Sequence, residues 1–350
     1  MRRPGESSRP GSESSRPGTD GWLRVAVGRA EGSKMGHRVR ARVTGFAMLA
    51  AACLAGCNGE GKDGAAQGSA SAEQTEVAKS NAYIIAANES SGLFAKALET
   101  YRNTVSPKLA GDRPLENYAV VPVGQVTKIR TRLEAAGAME GSIPEIEPAA
   151  RDYATAIAAF EPVNNGLANY AQSKGFLTDD GAKARAEDAT FVASLAKVAD
   201  AEAVFFDRIA ARDERLMRET YDRAPEGSVE RYRAGIVLSG KAAMKEVATV
   251  FGDPADVAAR EAFAGNLEEM ATMVENWDRA VRAEKPEGCP VLQSRFNSVI
   301  ADGRNAVRNA EEGQFDPESG MGSVRLQYAF SGLQSNFSMM ILQLNQPFPC

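Results

Sequence analysis

From about residue 75 to its end, this 350-residue chain repeats apolar residues at steps of three, four and seven, and alternating patterns are nearly absent. That period is the signature of helices with one buried face. Val77, Ile84, Ala87, Ser91, Phe94, Leu98, Tyr101 and Val105 predict one first helix of about 30 residues. Phe191, Leu195, Val198, Phe205, Ile209 and Leu216 predict a long helix, and Tyr232, Ile236, Ala243, Val247 and Val250 another. Phe263, Leu267, Met270, Val274, Trp277 and Val281 line the next. Two more follow, marked by Phe296, Val299, Ile300 and Val307 and by Leu326, Phe330, Leu333, Phe337, Ile341 and Leu344. Stops fall at Pro107, Pro114, Pro144, Pro148, Gly175 to Gly181, Pro225, Pro254, Pro286 and Gly313 to Gly322. Short connections favour antiparallel neighbours. The expected fold is therefore all-α, a multi-helix antiparallel bundle of about seven or eight helices over 75–350. It divides into candidate sub-bundles at 75–223 and 224–350. Aromatic residues on the stripes, Trp277 included, read as core.

The segment before this body has a different logic. His37, Arg38, Arg40 and Arg42 precede about 12 largely apolar residues, Val43 to Leu54, a length that suits a signal peptide and falls short of a membrane span. The run closes on Leu54-Ala55-Gly56-Cys57, which resembles the lipobox of bacterial lipoproteins. The resemblance implies cleavage before Cys57, a diacylglycerol on its thiol and membrane anchoring through that lipid. Residues 35–56 are then the signal peptide. Residues 1–34 nearly repeat Glu6-Ser-Ser-Arg-Pro-Gly as Glu13-Ser-Ser-Arg-Pro-Gly and read as disordered or as a mis-assigned start upstream of Met35. The Gly- and Ser-rich residues 57–74 read as a flexible tether with a reach of roughly 23 Å. Asn58, where the enterobacterial sorting rule reads aspartate as retention, favours the periplasmic face of the outer membrane.

Charge and composition exclude several chemistries. Residues 1–56 carry 10 of the 41 Lys and Arg and 4 of the 46 Asp and Glu, leaving 31 basic and 42 acidic residues and a net charge near −11. Such a surface repels nucleic acid. The one histidine, His37, lies in the signal segment, so the body has no Ser-His or Cys-His pair and no His-ligated metal site. No cofactor or metal is expected. Adjacent acidic pairs at Asp179-Asp180, Glu187-Asp188, Glu268-Glu269 and Glu311-Glu312 point about 100° apart on a helix and do not converge. No charged cluster faces inward on the stripes, and the chain is not expected to be an enzyme.

Four cysteines separate by fate. Cys53 leaves with the signal and Cys57 is lipidated. Cys289 opens one helix and Cys350 follows the next, so antiparallel packing brings these two to the same end and predicts a disulfide. Closing a loop of about 62 residues is worth roughly 4 kcal/mol in the chain-entropy account. A pair of free redox thiols is the alternative.

The stretch Lys79-Ser-Asn-Ala-Tyr-Ile-Ile-Ala-Ala-Asn88, followed by Leu98-Glu-Thr-Tyr101, resembles the opening of the YiiG-type bacterial lipoproteins. The resemblance implies a helical domain of unknown function and brings no catalytic residues. Asp152-Tyr153 to Tyr170 echoes Ala82-Tyr83 to Tyr101. Tyr83, Asn88 and Tyr101, with Tyr153 and Tyr170, are therefore candidates for a shared groove, against the plainer reading of boundary residues on amphipathic helices. Two functions remain. One is a non-enzymatic envelope protein that binds another protein, a peptide or a wall component. The other is a small-ligand carrier or carboxylate-only hydrolase with a cleft between helices.

Overall fold

The structure, a computed structural model, describes residues 64–111, 113–316, 318 and 320–346, with side chains from residue 74 onward. Signal segment, lipobox, Cys53, Cys57 and Cys350 lie outside the described residues. All the described residues belong to one compact unit.

Its elements are α-helical: α1 Gly64–Ser90, α2 Leu93–Thr100, α3 Ser106–Leu109, α4 Val123–Ala138, α5 Glu147–Gln172, α6 Ala182–Arg223, α7 Val229–Gly252, α8 Val257–Glu284, α9 Pro290–Glu311 and α10 Gly322–Leu344. Among the described residues no strand forms. The stripes explain the packing, since α8 buries Phe263, Leu267, Met270, Val274, Trp277 and Val281 together. In the first half α1 packs on α4, α4 on α5, α5 on α6, and α2 on α6. In the second, α7 to α10 pack in sequence and α10 returns to α7. Two apolar clusters result, one from Tyr83 to Ile209 and one from Ile236 to Leu344. Ser228 caps α7 by accepting from the Arg231 N–H at 3.2 Å, and Asp256 caps α8 by accepting from Ala259 at 2.9 Å.

α6 belongs to both halves. Its 42 residues make a rod of about 63 Å. Phe191 to Ile209 face the first core, and then the helix turns to charge. Arg212 pairs with Glu76 at 2.6 Å, Asp213 with Lys241, Glu214 with Lys245 at 2.6 Å, and Arg215 with Glu145 at 2.7 Å. These four consecutive side chains reach α1, α7 and the turn before α5. Leu216, expected inside, is exposed because it follows this belt.

The expected single first helix is instead broken. Ser91 (φ 48°) and Gly92 (φ 67°) are both left-handed, which ends α1 and restarts the chain as α2. Only glycine adopts that conformation freely, and a serine there carries strain. Farther on, a π turn spans Tyr101–Val105 just before Pro107, which has no N–H to return to the helix. α1 also starts at Gly64, inside the segment expected as tether, where alanine-rich sequence has high helix propensity. Val77, on the expected stripe, is exposed, and Tyr83, Ala86, Ala87 and Ser90 form the buried face in its place.

Candidate functional site

The junction between α1 and α2 is where the core becomes polar. Ser90 ends α1, Tyr153 stands in the second turn of α5 and Glu202 mid-α6, and all three are buried. Glu202, 1% exposed, occupies a stripe position, four residues after Val198 and three before Phe205. The Ser90 hydroxyl donates to Glu202 Oε1, and the Tyr153 hydroxyl donates to the same oxygen at 3.1 Å. Ser90 Oγ and Tyr153 OH lie 2.6 Å apart. The other oxygen, Oε2, accepts from the backbone N–H of Ala95 at 3.0 Å. Ala95 is in the first turn of α2, whose preceding Gly92 has no side chain with which to cap it.

Glu202 thus caps α2 from a remote helix, bringing its negative end to the helix N-terminus. Burial pushes its carboxyl above the usual carboxylate range, while donors from Ser90, Ala95 and Tyr153 pull it back. Burial first, then the Glu202 charge, hold the Tyr153 phenol well above its ordinary value. Phe94 and Phe205 close the surroundings, with ring centroids 6.0 and 5.6 Å from that of Tyr153. Chemically the cluster is a satisfied, desolvated carboxylate that fixes the break between α1 and α2.

This corrects the expectation that no charge faces inward on the stripes. The available signal was a glutamate at an apolar spacing on the α6 stripe. Lys79 is a second such case. The residue is 3% exposed, and its ammonium lies 2.6 Å from Glu147 Oε1 and donates to the Gly141 carbonyl at 2.8 Å. That contact, followed by the Ile143 N–H, holds the Glu147 carboxyl below its ordinary range. Asn164 is fully buried on α5 and donates to the Val121 carbonyl at 2.9 Å.

The candidate groove does not assemble. Tyr83 and Tyr101 are core residues, Tyr83 against Phe205 and Tyr101 against Phe191 with centroids 4.6 Å apart, while Asn88 faces solvent. Their phenol bodies fill the bundle because they sit on its buried face. Tyr170 donates to Asp179 at 2.5 Å, and Asp179 also accepts from the N–H groups of Gly181 and Lys183, which fixes the entry to α6. The other acidic pairs stay apart, Asp188 reached by Ser106 at 3.3 Å and Glu268 by Arg304 at 3.0 Å. Cys289, expected in a disulfide, is buried at the start of α9 and is not free.

Two shallow surface recesses stand out among the described residues. One of about 420 Å³ runs along α9 past Pro290, Gln293, Ser294, Asn297, Ser298 and Ala301, none of them a carboxylate. The other, about 200 Å³ between α8 and α9, holds Glu268 and Glu311, with Glu268 already engaged by Arg304. No helix among the described residues is long and apolar enough to cross a membrane. Among them, no group of three or more His, Cys, Asp or Glu could hold a metal ion.

An antiparallel helical bundle with a sealed polar junction is the class of protein that this geometry defines. The family model for "Protein of unknown function (DUF3829)" matches residues 74–346, and the chain belongs to that family. No curated protein and no solved structure matches it.

Proposed function

We propose that this chain is a lipid-anchored protein of the bacterial cell envelope whose helical body binds a partner or plays a structural part, without catalysis. The observation that carries the non-catalytic half is the Ser90–Tyr153–Glu202 network. Both oxygens of its carboxylate are taken by donors of the fold itself. A general acid or base needs a reacting group within hydrogen-bond reach, and here the reach is filled by Ser90, Tyr153 and Ala95. The anchor rests on the lipobox-like Leu54-Ala55-Gly56-Cys57 and its basic, apolar lead-in.

Within this reading the YiiG-type lipoproteins are the relatives, and Asn58 favours the periplasmic face of the outer membrane. Cys289 pairs with Cys350, and the periplasm's oxidising chemistry maintains the bond. α10 ends at Leu344 after packing along α9, which favours return of the chain toward Cys289. Crosslinking in intact cells, compared between wild type and Cys57→Ala, tests the function. A specific partner captured by wild type and lost in the variant is expected. Equal capture by both would separate binding from anchoring and contradict the account.

A further inference from the structure

The break between α1 and α2 runs against the sequence that forms it. Ile84, Ala87, Ser91, Phe94, Leu98 and Tyr101 recur at steps of three and four straight through the junction, the pattern of one continuous helix. The fold instead stops that helix with two consecutive left-handed residues, Ser91 (φ 48°) and Gly92 (φ 67°). A serine in that conformation is strained, and such strain persists only where surrounding contacts over-determine it. The contact that does so comes from Glu202, whose Oε2 accepts from the Ala95 N–H at 3.0 Å. In an unbroken helix the same N–H returns to the carbonyl of Ser91, four residues back. Glu202 therefore competes with the helix for one donor. α1 is also tied to the core by little apolar surface. Among its described side chains it buries Tyr83, Ala86 and Ala87, whereas α6 buries Phe191, Leu195, Val198, Phe205 and Ile209 in the same core. The rest of its hold is polar: Lys79 on Glu147 and the Gly141 carbonyl, Glu76 and Ser80 on Arg212, and Ser90 on Glu202. A segment with few buried apolar contacts opens at low free energy.

We infer that α1 and α2 are two halves of one helix that the fold holds bent, with Ser91 and Gly92 as the hinge and Glu202 as the latch. Opening frees Ser90 and the Ala95 N–H from Glu202 and returns both hinge residues to right-handed helix. It joins residues 64–100 into one rod about 55 Å long. α2 keeps its seat on α6, so α1 is the half that swings away, and Tyr83 withdraws from Phe205. The bent and straight states differ at the junction in which acceptor holds the Ala95 N–H, so a small change there shifts the balance between them. Local sequence favours the straight state and the distant carboxylate favours the bent one, a conflict of the kind that marks switch segments. Gly64 follows Cys57 by seven residues. On the anchored reading, and only there, opening also lengthens the arm between membrane and bundle.

Hydrogen exchange read by mass spectrometry on the purified full chain tests the switch, with small-angle scattering beside it. In wild type, the amides of 77–89 are expected to exchange through an opening that leaves 191–209 of α6 protected. Gly92→Ala penalises the left-handed hinge and favours the continuous helix. It is expected to speed α1 exchange at least ~10-fold, to lengthen the particle and to keep the helix content seen by circular dichroism. Ser91→Gly acts in the opposite sense, easing the hinge and weakening the rod, and is expected to slow α1 exchange about 5-fold. Exchange of α1 in step with α6, in wild type and Gly92→Ala alike, overturns the inference. So does a Gly92→Ala chain that loses helix content, or one whose α1 exchanges faster with no gain in length. None of these results bears on partner capture in cells or on fatty-acid attachment at Cys57, so the switch and the anchor fail by different measurements.

Discussion

Replacing Glu202 distinguishes a carboxylate that holds the fold together from one kept for chemistry. In Glu202→Ala the Ala95 N–H loses its acceptor at 3.0 Å, and a buried orphan donor costs about 1–3 kcal/mol. The lost Cγ methylene, buried between α2, α5 and α6, adds about 0.8 kcal/mol. Ser90 and Tyr153 keep each other at 2.6 Å, and removal of a desolvated charge offsets part of the loss. The expected net cost is about 2 kcal/mol, seen as a fall in Tm of about 4 °C or more. Glu202→Gln keeps an acceptor for Ala95 and offers an NH2 to the oxygens of Ser90 and Tyr153, so its cost is expected to stay under about 1 kcal/mol. The pH dependence has a definite sign. Because burial raises the Glu202 carboxyl in the folded state, its stabilising share is complete below the unfolded carboxylate value and is lost as pH rises through the folded one. Wild type is therefore expected to lose ground to Glu202→Gln as pH climbs from about 4 toward neutrality. Urea denaturation of the three proteins across that range is the assay. Glu202→Ala within about 0.5 kcal/mol of wild type, or equal to Glu202→Gln, would refute the capping role.

Lys79→Met removes the buried partner of Glu147. Because Lys79 lowers the Glu147 carboxyl, that pair stabilises above the unfolded carboxylate value and is lost as pH falls through the folded one, so acid denaturation is expected to be shallower in Lys79→Met. Ser91→Gly relieves a left-handed serine and is expected to stabilise by up to about 1 kcal/mol, while Gly92→Val, forced into the same conformation, is expected to cost about 1–2 kcal/mol. Gly303 lets α9 approach α8, since a Cβ there would stand 2.6 Å from Leu267 Cδ1. Gly303→Val is expected to lower stability by about 2 kcal/mol in chemical denaturation, with part of the loss recovered when Leu267→Ala is added.

The helices from α6 onward were readable because their burial follows one period without interruption. Phe263 to Val281 on α8, for example, reappear as a buried face, and the proline and glycine stops at Pro225, Pro254 and Pro286 mark the turns. The first helix was misread because its break depends on Ser91 in a left-handed conformation. Serine gives little warning of that state, and the break is held by Glu202, 107 residues from the N–H it caps. A contact so distant leaves no local trace. Glu202 and Lys79 were hidden for a related reason: charge predicts exposure unless a partner is supplied, and the partners lie on other helices. Tyr83 and Tyr101 show the converse, side chains with a polar tip whose ring burial decided their place.

Anchoring through Cys57 is the central claim about what this bundle is for. Cells grown with a radioactive fatty acid test it most directly: label is expected on the wild-type protein and none on Cys57→Ala. An unlabelled wild type, or label persisting on Cys57→Ala, would contradict it.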